Sequence, residues 1–306
     1  MLSRVADAVF WMARYMERTD NILRALRTNY IASQDEIQNF DWQLWIDGLG
    51  ATAQKTDVKL AYREALHHLL LNKENDTSVI TNIVRARENA RSVQDYVTKE
   101  VWQSMNDYYH LIRDKHTEYL LLHGDPVTAF DNLLRESTLF YGTVDITMNR
   151  GEGYTFLNIG KYIERLLRSL DILELKLKEL ETNDNEMVQW KYLLYSLSGY
   201  EFHTKFYRNT LTTESVLHQV ISNVQFPHSV FYCLLRVERY FKNLDTISLP
   251  EHYKELEFLL GRALSNLRYG MPARPTVEGI KPLIESTRIE IKSLGQKLAG
   301  FYFGYS

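Results

Sequence analysis

The chain has 306 residues, 45% hydrophobic and 25% charged, which is long enough to bury a core and too apolar for a disordered polypeptide. A formal charge of −3 gives no global support for a sequence-independent grip on nucleic acid or on an anionic membrane. The lone Cys233 excludes an internal disulfide and points to a reducing, cytoplasmic setting, Met1-Leu2-Ser3-Arg4 leads into an amphipathic segment carrying Asp7 rather than a signal peptide, and no apolar run reaches the length of a bilayer span.

Only 14 glycines and 6 prolines punctuate the chain, so long helices are expected. In the opening segment Leu2, Val5, Val9, Met12, Met16, Thr19, Leu23, Leu26 and Tyr30 recur at alternating steps of three and four. That is one face of a long helix, weakened only at Thr19. Helices are expected next near 41–49, 58–72, 78–114 and 126–148, with Thr77 and Pro126 as start signals for the last two. The segment 156–180 repeats the opening pattern with Ile159, Ile163, Leu166, Leu170, Leu173, Leu177 and Leu180. Further helices are expected near 187–198, 213–222, 228–244, 251–268 and 277–300. Breaks fall at Gly50, Gly124, Gly151-Glu152-Gly153, Gly199 and Gly270-Met271-Pro272, and no period-two pattern bounded by hairpin turns competes with an all-α fold.

An internal repeat organises these helices. Ala13-Arg14-Tyr15-Met16-Glu17-Arg18 aligns with Gly160-Lys161-Tyr162-Ile163-Glu164-Arg165, and Trp42…Leu49 aligns with Trp190…Leu197. Asn72…Ser78-Val79…Arg85 aligns with Asn223…Ser229-Val230…Arg236. Three anchors in one order predict a tandem duplication within one helical domain, 1–306, with copies at about 2–150 and 151–306. A pseudo-twofold relation between the long first helices would satisfy both apolar seams.

The polar positions that repeat are the candidate site. Arg14, Glu17 and Asn21 share one stripe of the first helix, and their copies are Lys161, Glu164 and Arg168, with Arg18 and Arg165 alongside. A structural ion-pair network is one reading. The other is a charged pocket for an anionic or zwitterionic ligand, with Arg14, Lys161 and Arg85 supplying positive charge. In either case Glu17 and Glu164 are expected to be buried, with Arg14, Arg85, Lys161 and Arg236 converging on them, because an unpaired buried carboxylate is costly. The spacing Arg85–Glu88–Arg91 allows a second ion-pair ladder, in a cluster that also holds Arg87, Asn89, Glu100, Trp102 and Asn106.

Other chemistry finds little footing. Glu64 and His67 have Glu-x-x-His spacing, but a di-iron bundle needs a second such motif and two further glutamates, so neither metal nor cofactor is expected. Cys233 lies in the apolar run Val230-Phe231-Tyr232-Cys233-Leu234-Leu235, where an inert buried thiol is the default. Nucleophile-elbow, Walker and dinucleotide-binding glycine patterns are missing. The 20 tyrosines and 5 tryptophans read as core and interface residues, because no basic patch is interleaved with them.

Ser3-Arg4-Val5-Ala6-Asp7, Phe10-Trp11 and Ala13-Arg14-Tyr15-Met16-Glu17-Arg18 resemble the first-helix motifs of the bacterial alpha-E family. Gly160-Lys161-Tyr162-Ile163-Glu164-Arg165, Arg87-Glu88-Asn89-Ala90-Arg91 and Phe226-Pro227-His228-Ser229-Val230 are similar to its later ones, with Ala13, Lys161 and His228 departing from the usual Gly, Arg and Arg. The resemblance implies an all-helical protein associated with circularly permuted ATP-grasp and transglutaminase-like proteins. It further implies an accessory or substrate-handling subunit of an ATP-grasp type peptide or amide ligase, with a peptide or amino-acid ligand. Two alternatives stay open: an enzyme using the Arg/Glu cluster for acid–base work on an amide or peptide, and a plain scaffold. A partner subunit needs an exposed apolar patch; the tail Phe301-Tyr302-Phe303-Gly304-Tyr305 is either its edge or core packing.

Overall fold

The computed structural model describes residues 3–34, 41–49, 62–181, 185–244 and 250–304; Leu2, Gly50, Tyr305 and positions 58–61 of the expected helix 58–72 lie outside them. The described residues are all-helical. The helices are α1 (Ser3–Gln34), α2 (Trp42–Gly48), α3 (Tyr62–Leu66), α4 (Val79–Ser92), α5 (Lys99–Arg113), α6 (Lys115–Leu122) and α7 (Pro126–Thr147). They continue with α8 (Glu152–Leu180), α9 (Glu186–Ser196), α10 (Tyr200–Phe206), α11 (Thr213–Leu217), α12 (Val230–Phe241), α13 (Pro250–Gly270) and α14 (Val277–Phe303). Two π-helical turns, π1 (His67–Leu71) and π2 (His218–Ser222), extend α3 and α11. The chain divides into two compact units: residues 11–149 with 195–197, and residues 1–10, 150–194 and 198–306.

In the 11–149 unit the predicted seam of α1 is buried at Met12, Met16, Thr19, Leu23 and Leu26. Arg27 of α1 reaches Asp131 of α7 at 2.6 Å. The expected single helix 78–114 is two helices, because the chain turns at Val93 (φ −130°) and restarts where Thr98 caps α5, accepting from the Val101 amide at 3.3 Å. Val93 and Val97 are buried in that turn, so their apolar character mimics helical periodicity across a real break. Ser78, rather than Thr77, caps α4 by accepting from the Thr81 amide at 3.3 Å. The α6 helix was not expected. It starts at Asp114, which also ends α5 and accepts from the amides of His116 and Thr117.

In the other unit α8 is buried on nearly every side and packs on α12 and α14. Gly160 lets α8 approach the start of α1, since a Cβ there would lie 2.5 Å from the Phe10 carbonyl oxygen. Gly151 caps α8, so the expected glycine break has Gly153 inside the helix. Within the tail, Phe303 packs at 5.1 Å from Phe10 and 5.8 Å from Phe156, and the Phe301 ring stacks on His252 at 4.1 Å. This part of the tail is core packing, not the rim of a surface patch.

Each unit contains one short helix–π-turn–cap passage. Asn72 closes π1 by donating its amide to the His67 carbonyl at 2.9 Å, and Asn223 closes π2 by donating to His218 at 3.0 Å. Both asparagine side chains then accept from the amide two residues on, of Glu74 at 3.0 Å and of Gln225 at 2.8 Å. A serine cap follows in each case, Ser78 before α4 and Ser229 before α12.

Replacing Gly160 by alanine forces a Cβ against the Phe10 carbonyl. The variant is expected to lose about 1–3 kcal/mol, the usual cost of overpacking. Urea unfolding checks this; an unchanged midpoint contradicts the close approach.

Candidate functional site

The glutamates of the repeated stripes are fully buried, Glu17 and Glu164 both at 0% exposure. Asn21 Nδ2, one turn on from Glu17, donates to its Oε1 at 3.0 Å. Arg168 Nε donates to Glu164 Oε1 at 3.2 Å, and Arg168 also meets Asp171 at 2.9 Å. Arg288 of α14 pairs with the same Asp171 and with Glu174 at 2.8 Å. A ladder Glu164–Arg168–Asp171–Arg288–Glu174 therefore runs from the interior of α8 to α14. Burial works against the Arg288 cation, but Asp171 and Glu174 outweigh it and hold its pKa up.

Two of the residues expected to converge on the glutamates, Arg85 and Arg236, have partners elsewhere. Arg85 pairs with Asp76, in the turn before α4, and donates to its carbonyl at 3.1 Å. Nearness in sequence explains this, because a residue two turns into α4 can reach back over the cap. Glu88 consequently bridges Arg87 at 2.9 Å and Arg91 at 3.6 Å, in place of the expected Arg85–Glu88–Arg91 ladder. Arg236 Nε donates to the Tyr232 hydroxyl at 2.9 Å.

Arg236 belongs to an arginine–tyrosine cluster on α8 and α12. The Tyr162 ring stacks on Tyr240 at 6.0 Å and meets Tyr232 edge-on at 6.3 Å. Arg165, Arg236 and Lys161 lie 5.5, 6.0 and 5.5 Å from its centre. Burial pushes the Tyr162 phenol well above its ordinary value, outweighing the opposing pull of Arg165 and Arg236, so it stays a neutral donor at physiological pH. In the 11–149 unit Arg14 lies 4.4 Å over Trp11 and Arg18 lies 5.7 Å from Tyr15. Arg87 sits between Trp102 at 5.4 Å and Tyr109 at 4.5 Å while donating to Asn106 at 2.7 Å.

Tyr108, Tyr154 and Tyr162 are core residues as expected, but basic residues do lie among the tyrosines, contrary to the sequence reading. The available signal was the four-residue step Tyr232–Arg236–Tyr240, which places all three on one face of α12. Guanidinium groups beside neutral phenols suit recognition of carboxylate or phosphate. Among the described residues no group of three or more His, Cys, Asp or Glu could hold a metal ion. Cys233 is buried, with Sγ 3.6 Å from the Pro227 carbonyl.

A family model described as a predicted alpha-helical domain with a conserved ER motif matches residues 1–303. The chain belongs to the Alpha-E family. Uncharacterized proteins of Mycobacterium bovis and Mycobacterium tuberculosis are 22% identical to it over 265 residues, covering 79% of this chain. The chain spans only 30% of the length of these relatives. No solved structure matches. Two of the three Glu-Arg pairs of this Alpha-E chain, Glu17-Arg18 and Glu164-Arg165, have a tyrosine two residues before the Glu. In both, neighbouring residues of one helix diverge: the Glu points into the interior, and the Arg lies against the tyrosine three residues back. No helix among the described residues is long and apolar enough to cross a membrane.

One further ionisable group is buried along α8. Lys176 is fully enclosed, with Nζ 2.5 Å from Glu179 and 3.3 Å from Gln189. Burial lowers its pKa below 10.5 despite the opposing pull of Glu179. Between the folded value and 10.5 the unfolded chain binds the proton and the folded chain does not, so stability rises with pH across that window. Wild type is therefore expected to gain stability relative to Lys176→Met as pH is raised from 7 towards 10.5. Paired urea titrations check this, and a constant difference contradicts it.

Proposed function

We propose that this chain is an accessory, substrate-handling subunit that works with an ATP-grasp type peptide or amide ligase. The single observation behind this reading is the arginine–tyrosine cluster on α8 and α12, whose neutral phenol and adjacent guanidinium groups suit binding rather than proton transfer. The family resemblance supplies the partner. The acid–base alternative needs a carboxylate that reaches substrate, and Glu17 and Glu164 are both fully enclosed. We also infer descent from a duplicated helical unit, with the long first helices related by a pseudo-twofold axis, in one domain spanning the chain. The paired helix–π-turn–cap passages and the paired Tyr-x-Glu-Arg segments support that history.

Co-purification with an ATP-grasp type ligase of the same organism tests the assignment, followed by ATP turnover with and without the chain. A stable complex and a turnover that rises at least several-fold are expected, with the gain reduced about ten-fold by Arg165→Ala/Arg236→Ala. Absence of a complex together with unchanged turnover contradicts it.

A further inference from the structure

The unit that contains α8 also holds a cleft of about 450 Å³, between the stretch from Tyr207 to π2 and the loop joining α13 to α14. Tyr207, Glu214, Ser215 and His218 line one side, and Met271 and Pro272 face them. None of these residues belongs to the repeated charged stripes.

A hydrogen-bond relay fixes the chemistry of this cleft. Asn223 Oδ1 accepts from the amides of Gln225 at 2.8 Å and Phe226 at 3.2 Å, which leaves its Nδ2 to donate to the Tyr207 hydroxyl at 2.9 Å. The Tyr207 hydroxyl lies 2.7 Å from His218 Nδ1 and donates to it in the tautomer that carries the imidazole proton on Nε2. In that tautomer His218 Nδ1 accepts, and its Nε2–H is left as a donor at the cleft. Tyr207 is itself clamped by the His203 ring, stacked on it at 4.8 Å, and burial raises its pKa against the opposing Asn223 bond. His203 Nδ1 in turn lies 2.7 Å from Gln219 Oε1, in π2. Ser215 is not activated by His203. Its hydroxyl donates to the Thr210 carbonyl at 2.6 Å, and His203 Nε2 lies closer to that carbonyl, at 3.0 Å, than to Ser215, at 3.5 Å.

Three further features mark the cleft as built for a ligand. Glu214 precedes His218 by four residues and its carboxylate forms no hydrogen bond or ion pair among the described residues, so a carboxylate and the imidazole stand together at the cleft edge. Arg208 and Asn209, just before the lining, both hold left-handed backbone, at φ 52° and 62°. Asparagine visits that region readily, but it is uncommon for an arginine, and such positions cluster at ligand clamps. The π2 turn that carries His218 is likewise a geometry frequent at functional sites. An adjoining cavity of about 490 Å³ adds Glu181, paired with Lys281 at 2.9 Å, and Glu186, which accepts from Trp190 and Thr213.

We propose that this cleft binds the free amino end of a peptide, or an amino-acid amide. Glu214 takes the ammonium, His218 Nε2–H donates to the adjacent carbonyl oxygen, and the first side chain lies against Met271 and Pro272. That the natural ligand is a peptide rests on the substrate-handling reading above, whereas recognition of an amine next to a carbonyl stands on the cleft alone.

Isothermal titration of the full chain with leucinamide, N-acetyl-leucinamide and Leu-Gly-Gly tests this without the ligase, so failure here and failure of the ligase complex are separate results. Saturable binding of leucinamide is expected, weakened at least ten-fold by acetylation, by Glu214→Gln and by His218→Phe. Glu214 and His218 are exposed, so both variants are expected to melt like wild type. Equal binding of Leu-Gly-Gly supports a peptide as ligand, and binding of leucinamide alone supports a free amide. The proposal is overturned if neither amine binds saturably, if the acetylated amide binds equally well, or if both folded variants bind like wild type.

Discussion

Two carboxylates placed inside long, nearly enclosed helices set the terms for the rest of this fold. A buried charge without a partner costs several kcal/mol, so the neighbouring residues must answer it. On α8 Arg168, one turn on, donates to Glu164, and the ladder continues through Asp171 to Arg288 on α14. On α1 the Asn21 amide serves Glu17 from the same i+4 position. Fixing the Glu side of each helix also fixes its other faces. Arg18 and Arg165, the next residues along, turn about 100° away around the helix and come to rest on Tyr15 and Tyr162. One dipeptide thus couples an interior anchor to a cationic–aromatic surface.

That coupling links fold to function. The arginine–tyrosine cluster is held by α8 and α12, the pair in most extensive contact within its unit, so its donors are pre-positioned on rigid elements. The cleft near π2 is made differently. It depends on a π turn, two left-handed residues and an amide–phenol–imidazole relay, and its facing wall is a loop. The first arrangement presents cationic groups on rigid helices, and the second presents a carboxylate and an imidazole beside a loop.

The long helices were legible because their apolar spacing is strict: every residue named on the seam of 156–180 is buried except Leu180, which is partly covered. The burial of Glu17 and Glu164 was legible from their place beside that seam. The break between α4 and α5 was not, since Val93 and Val97 continue an apolar rhythm through a turn that Thr98 then caps. Helix α10 was missed because seven residues carry too little periodicity. The partners of Arg85 and Arg236 were misjudged because a neighbouring aspartate and tyrosine were nearer than the glutamates. The cleft left almost no trace in sequence, because its facing wall comes from a loop more than fifty residues further along.

The central claim is that the buried Glu164 carboxylate and Arg168 form a coupled pair that organises α8. A double-mutant cycle with Glu164→Gln and Arg168→Met, read by urea unfolding, measures that coupling directly. The account predicts that the two single losses fail to add, with a coupling of about 1–3 kcal/mol, as expected for contacting partners. Additive losses, with a coupling below roughly 0.3 kcal/mol, would show that the two side chains act independently and would contradict the account.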